Sequence, residues 1–271
     1  MPWSVADIAV IALIGLMGGT LGGLLGLGGS VFIIPVLTLV FGTNQHLYQA
    51  AALIANVFVA CAATWKHRGR GTIRRDVVPI MATATSLAAV AGVLVSNLIP
   101  PLRLTALFGV FLLYSVVREI ESLLRRKSDP PEADSPRCSP RLAAATGTIG
   151  GFASGLLGIG GGAIMVPILR GVGRLPLRHA VASSAAAMIV ACAIGACTKN
   201  ATIGGLVSAS GEALTLRESL SLAAALAPTA MVGGMLGASL VYRLPVTATR
   251  VVLTACLAFA GVRMILTGLG K

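Results

Sequence analysis

Acidic side chains are scarce. There are nine among 271 residues, and each of them (Asp7, Asp76, Glu119, Glu121, Asp129, Glu132, Asp134, Glu212, Glu218) falls in a loop or at the end of an apolar run. No carboxylate waits inside a long apolar segment to carry a proton or to bind Na⁺, which disfavours an antiporter built on buried acids. Charge of either sign is thin, 11% against 56% apolar residues, where an ordinary globular domain carries about 25% charged residues. A water-soluble domain is nearly excluded. The five cysteines, Cys61, Cys138, Cys192, Cys197 and Cys256, lack CxxC spacing and four of them lie in apolar runs. Neither a disulfide framework nor a zinc site is indicated, and no metal or cofactor is expected. Met1 to Asp7 holds no Lys or Arg, so the leading segment reads as a first membrane helix rather than a cleaved leader.

What is present is basic charge and long apolar runs. The formal charge of +12 sits in short clusters between uncharged stretches, not in stripes among aromatics. That pattern belongs to membrane loops and not to nucleic-acid binding. About ten hydrophobic segments follow one another: 7–25, 30–41, 47–65, 77–98 and 102–120, then 141–157, 162–170, 179–197, 219–242 and 246–269. Most approach the roughly 20 residues that a hydrocarbon core of about 30 Å demands of a helix. The second segment of each half is shorter, reaching only about 14 to 18 Å at 1.5 Å per residue. The fold class is therefore all-α, a polytopic integral membrane protein with one short or broken helix, a hairpin, per half.

The halves repeat in sequence. The stretch 24–37, LLGLGGSVFIIPVL, lies over 156–169, LLGIGGGAIMVPIL, at a constant offset of 132 without a gap. This divides the chain into repeat 1 over 1–127, a linker over 128–140 and repeat 2 over 141–271. The linker region alone has soluble composition, rich in proline and charge.

Basic loop residues stay on the cytoplasmic side. Lys66, Arg68, Arg70, Arg74 and Arg75 mark one inner loop, Arg118 to Arg141 mark the linker, Arg170, Arg174 and Arg178 a third, and Arg243 with Arg250 the last. Together they hold sixteen of the 21 basic residues, leaving Arg103, Lys199, Arg217, Arg263 and Lys271 for the outside. The loop 42–49 then faces out while its counterpart 171–178 faces in. The repeats are inverted, and both termini lie outside. Inverted repeats with short helices interrupted by Gly and Pro point to a transporter whose site sits at the midplane.

The paired motifs GLLGLGGSVFIIPVL and GLLGIGGGAIMVPIL, each followed by a short loop and a helix beginning near His46 or His179, resemble the TauE/SafE sulfite exporter family of membrane permeases. So does the basic loop Lys66-His67-Arg68-Gly69-Arg70-Gly71-Thr72-Ile73. The resemblance covers nearly the whole chain. It implies a carrier of small sulfur-containing anions such as sulfite, thiosulfate or sulfonated organic acids, in a bacterial-type inner (plasma) membrane. It also implies a polar pair early in the third helix, matched by Ser183 and Ser184. The first half reads Ala51-Ala52-Leu53-Ile54 there, and Asn56 one turn later supplies a polar group instead.

The glycines suggest how an anion is held. A short helix beginning after Gly29 or Gly161 presents free N–H groups and a positive dipole end of roughly half a charge toward the protein centre. Glycine lets an oxyanion approach those amides closely. The expected binding set is Gly26, Gly28, Gly29, Ser30 and Asn56 from repeat 1, with Gly158, Gly160, Gly161, Gly162, Ser183 and Ser184 from repeat 2. Pro35 and Pro167 break the short helices and free the carbonyls of Val31 and Ala163. The expectation is sharp: the two bends meet in mid-bilayer with a cavity between them. Because the membrane potential contributes about 2.3 kcal/mol per charge per 100 mV, it favours anion export.

Plainer readings stand beside these. Glycines pack membrane helices closely, and Ser183, Ser184 and Asn56 can hydrogen-bond between helices. His46 and His179, at helix starts, read as solvated rather than as proton relays. Arg118 and Arg263 near helix ends read as snorkelling. Two other functions remain open. Val59-Ala60-Cys61-Ala62 and Val190-Ala191-Cys192-Ala193 match at corresponding helices, and the two thiols could form a transmembrane thiol-disulfide relay, while the freed carbonyls suit a cation permease or membrane assembly factor. The expected partners are a small anion and the lipid bilayer, with no nucleic acid; a homo-oligomer stays open.

Overall fold

A computed structural model describes residues 3–26, 28–124, 138–240 and 246–270. Most of the linker lies outside the described residues, as do Arg125, Arg126, Lys127, Arg137, Arg243, the Arg250 side chain and Lys271 from the count of basic residues, and Asp129, Glu132 and Asp134 from the acidic ones. The described chain folds into ten α-helices: α1 (Val5–Leu25), α2 (Ser30–Phe41), α3 (Gln45–Arg68), α4 (Val78–Asn97), α5 (Pro101–Leu124), α6 (Pro140–Leu157), α7 (Gly162–Gly171), α8 (Leu177–Thr202), α9 (Leu216–Leu240) and α10 (Val246–Gly268). Among the described residues no strand forms beyond one isolated bridge between Val207 and Ala213. Among the described residues six helices are long and apolar enough to cross a membrane: α1, α3, α4, α5, α8 and α9. The protein is a helical, multi-pass membrane protein.

The helix ends follow from local chemistry. Ser4 and Asp7 close a capping box on α1, Asp7 N–H donating to Ser4 Oγ at 3.1 Å and Ser4 N–H to Asp7 Oδ2 at 2.9 Å. Ser139 caps α6 through the Leu142 N–H, with Pro140 at the first helical position. Both α1 and α6 then stop at a left-handed glycine, Gly26 (φ 66°) and Gly158 (φ 76°), a conformation that a Cβ would strain. The short helices α2 and α7 start four residues later and keep their length, 12 and 10 residues. They rise only about 18 and 15 Å, and each holds its proline inside, Pro35 and Pro167.

Packing sorts the helices into a centre and a rim. The most apolar windows of α3 and α8 are 72% and 67% buried, whereas those of α1, α4, α5 and α9 are 33 to 44% buried and expose Leu13, Leu87, Val110 and Val232. Apolar exposure on that scale is the surface a bilayer covers. The rim pairs are α1 with α9 and α6 with α4, and both rest on glycine ridges spaced four apart. Gly15, Gly19 and Gly23 of α1 lie against Leu226, Ala230 and Gly234, and Gly147, Gly151 and Gly155 of α6 lie against Met81, Thr85 and Ala89. These two ridges are 132 residues apart, the offset of the sequence repeat. In the absence of a hydrophobic drive between helices in lipid, backbone contact through small residues is the main attraction available.

Candidate functional site

The two glycine bends pack against each other at the heart of the molecule, beside α3 and α8. A Cβ on Gly28 would stand 2.5 Å from the carbonyl oxygen of Ile159, and one on Gly162 would meet the carbonyl of Gly26. Gly26 is covered by Val181 of α8, and Gly158 by Gln49 of α3, whose Nε2 donates to the Leu156 carbonyl at 3.1 Å. Val181 and Gln49 are again 132 residues apart, so each bend is seated by the same register position of the other half's central helix.

Asn56 ties the junction together. Its Nδ2 donates to Ser30 Oγ at 2.7 Å and to the Gly158 carbonyl at 3.4 Å, while its Oδ1 accepts the Ser30 N–H at 3.3 Å. Asn56 and Ser30 are both fully buried. A primary amide is the group for this place, since it both donates to two oxygens and accepts from an amide. Met188, the position matching Asn56 in α8, fills the corresponding space against Gly28, Gly160 and Gly162 with a flexible thioether. The junction is thus polar on the α3 side and apolar on the α8 side.

Among the described residues the bends meet in direct backbone contact where a cavity was expected. Beside Gly26 and Gly28, between α3 and α8, the space amounts to about 10 Å³, lined by Val59, Ala63, Ala185 and Met188, which is room for about one water. The first free donor of α2 is also occupied, because Asn56 accepts the Ser30 N–H. The physical reason is that glycine, which admits a ligand closely, equally admits another backbone. A larger apolar groove of about 410 Å³ lies elsewhere, between Phe32, Pro35 and Leu39 of α2 and Ala255 and Phe259 of α10.

The structure brings Gly26, Gly28, Ser30, Asn56, Gly158, Gly160 and Gly162 into one junction, with Gly29 and Gly161 as the residues from which α2 and α7 start. Ser183 and Ser184 stand apart from it. Ser183 Oγ accepts the Arg74 N–H at 3.1 Å and so secures the loop after α3, and Ser184 donates to the Val181 carbonyl within its own helix. Arg74 in turn grips Asp76 through two bonds of 2.9 and 2.8 Å, and that pairing raises the guanidinium pKa further. Cys61 is exposed and Cys192 buried, both as free thiols.

Two residues depart from the sequence expectation. His46 is buried, not solvated, and Lys199, assigned by its basic charge to an outer loop, is fully buried in the last turn of α8. The Lys199 Nζ lies 3.0 Å from His46 Nδ1 and donates to Ser96 Oγ at 2.8 Å and to Asn97 Oδ1 at 2.7 Å. The signal for Lys199 was available: it is the only Lys, Arg, Asp or Glu between 179 and 205, and such a residue marks a site until a partner explains it. Its partners were invisible, being more than 100 residues away. His179 is half-buried, while Arg118 bonds Glu121 at 2.9 Å and stays exposed with Arg263, as snorkelling requires.

Six helices fit to cross a membrane, short interrupted helices and a glycine junction at the centre define a polytopic helical membrane protein. The comparisons agree. The sequence model of the family described as "Sulfite exporter TauE/SafE" matches residues 11–264, and the chain belongs to that family. Among its relatives, "Probable membrane transporter protein MamO" of Magnetospirillum gryphiswaldense is 26% identical over 294 residues, covering 98% of this chain and 46% of the relative. A "Probable membrane transporter protein" of Xylella fastidiosa is 35% identical over 174 residues, 63% of this chain and 65% of the relative. "Probable membrane transporter protein YunE" of Bacillus subtilis is 24% identical over 289 residues, 97% and 99%. The chain thus spans less than half the length of MamO but nearly all of YunE. No solved structure matches it.

Proposed function

We propose that this chain carries small sulfur-containing or sulfonated anions, sulfite foremost, outward across a bacterial-type inner membrane, with inverted repeats and both termini outside. The family's description as a sulfite exporter supports the substrate class. The observation that carries the mechanism is the glycine junction held by Asn56. Oδ1 of Asn56 sits on the Ser30 amide where an anion oxygen would sit, at the positive end of α2. The closed junction has room for about one water, so the anion enters when the bends part and takes the place of the Asn56 oxygen. Parting exposes the starts of both short helices together, and closure on the other side completes the cycle. The junction's small number of polar ties keeps that rearrangement within reach of a ligand's binding energy.

The test is thermal unfolding of the purified protein with sulfite, sulfate, thiosulfate, sulfoacetate and taurine. One sulfur anion should stabilise the protein, by about 2.7 kcal/mol at a hundredfold excess over Kd. Asn56→Asp, which sets a charge of the anion's own sign at the Ser30 amide, should abolish the shift and the flux into proteoliposomes. If no sulfur anion shifts the protein and none is carried, the substrate assignment is wrong.

A further inference from the structure

We propose that Lys199, with Gln45, His46 and Asn97, forms a second anion station, separate from the glycine junction, at the end of the molecule where α3 begins and α4 and α8 end. The ligand class is a small oxyanion. The assignment rests on the anion-carrier reading for which oxyanion it is, but not for the presence of the site.

Three observations converge. Lys199 is fully buried and, among the described residues, no carboxylate pairs with it; its three neighbours are a neutral hydroxyl, a neutral amide and an imidazole nitrogen. Those acceptors use its protons without cancelling its charge, and a buried ion without a countercharge is costly. Gln45 is the second observation. It is fully buried in the first turn of α3, next to His46 in sequence, and both its Nε2 and Oε1 lack a hydrogen-bond partner. A buried amide with both ends idle is rare in a folded protein. The third is the cluster's place on α3. Gln45, Gln49 and Asn56 follow at spacings of four and seven, so they share one face of α3, and Gln49 and Asn56 both reach the repeat 2 bend. A polar stripe therefore runs from the Lys199 end to the junction. In the orientation read from the basic loops, that end faces outward, so the station is the last an exported anion meets. An arriving oxyanion supplies the missing countercharge by displacing one neutral acceptor from the ammonium and taking up the Gln45 amide as a second donor.

A structural role predicts differently. The carbonyl ends of α4 and α8 carry partial negative charge, and an ammonium there serves as a cap. The two roles are separated by measuring Lys199→Met and Gln45→Leu in the purified full chain, each for thermal stability without added anion and for binding of sulfite, sulfate and phosphate at constant ionic strength. A station predicts that both variants are as stable as the parent or more so, and that their anion affinity falls at least about tenfold, the scale of one charge-assisted hydrogen bond. If Lys199→Met unfolds more easily yet Gln45→Leu binds sulfite like the parent, the ammonium is a cap and the station does not exist. If sulfite binds and is carried unchanged by both variants, the station fails while the carrier stands. If the parent ignores sulfur anions but a phosphate-induced shift is lost in both variants, the station stands and the substrate reading fails. If no anion shifts the parent, both fail.

Discussion

Single residues carry the asymmetry between the halves. Asn56 and Met188 occupy equivalent positions, yet one ties both bends with hydrogen bonds and the other pads them with a thioether. The sequence already flagged Asn56, because a polar side chain in an apolar helix needs a partner; that the partner would include a carbonyl 102 residues away did not follow from it. Gln49 went unnoticed for the same reason, since its hydrogen bond reaches the Leu156 carbonyl across 107 residues. Conversely, Ser183 looked like a site residue by resemblance, and its hydroxyl fastens a loop. The cysteine coincidence belongs to this scale as well. Cys61 is exposed on a membrane-spanning helix while Cys192 is fully buried and neither forms a disulfide, so they are expected to act as small apolar side chains. The double variant Cys61→Ala and Cys192→Ala should carry sulfite in proteoliposomes at the parental rate; loss of flux alongside an intact unfolding temperature would revive the thiol relay.

At the scale of elements, glycine and proline spacing made the architecture legible. The segments 30–41 and 162–170 were expected as short helices, and α2 and α7 occupy Ser30–Phe41 and Gly162–Gly171. Their starts are fixed by positive-φ glycines at Gly28, Gly160 and Gly161, a backbone state that other residues enter at a cost. The glycine ridges of α1 and α6 fill the packing role that was weighed against ligand binding. A Cβ on Gly155 would lie 2.7 Å from the Val93 nitrogen and press on the Ala89 carbonyl, whereas one on Gly195 meets its nearest atoms, in the Leu53 side chain, at an ordinary 3.7 Å. Gly155→Leu should therefore destabilise the α4–α6 pair by at least about 1 to 3 kcal/mol. Gly195→Ala should be neutral or stabilising by up to about 1 kcal/mol, given the better helix propensity of alanine. Thermal unfolding of the two variants in one detergent measures both, and an equal loss would mean that Gly155 is not a packing contact.

For the molecule as a whole, the distribution of Lys and Arg predicts the sides. Gly69, after α3, is expected inside with the basic loop, and Gly204, after α8, is expected outside. Both sit where a Cβ meets nothing within 4 Å, so cysteine at either should leave the fold intact. In a background lacking Cys61, Cys197 and Cys256, a membrane-impermeant maleimide added to intact cells should label Gly204→Cys and spare Gly69→Cys; the reverse pattern would invert the proposed topology and turn the Lys199 station toward the cytoplasm.

The sequence by itself determined that the protein is helical and membrane-embedded, where its helices lie to within about five residues, and that a glycine-rich motif occurs twice, because these depend on hydrophobic length, on backbone freedom at glycine and on a repeat visible at a constant offset. Only the tertiary structure decided that the bends touch instead of enclosing a cavity, that Asn56 and not the serine pair joins them, and that Lys199 is buried beside His46. Those outcomes turn on which side chains meet across more than 100 residues of chain, and local composition holds no record of such meetings.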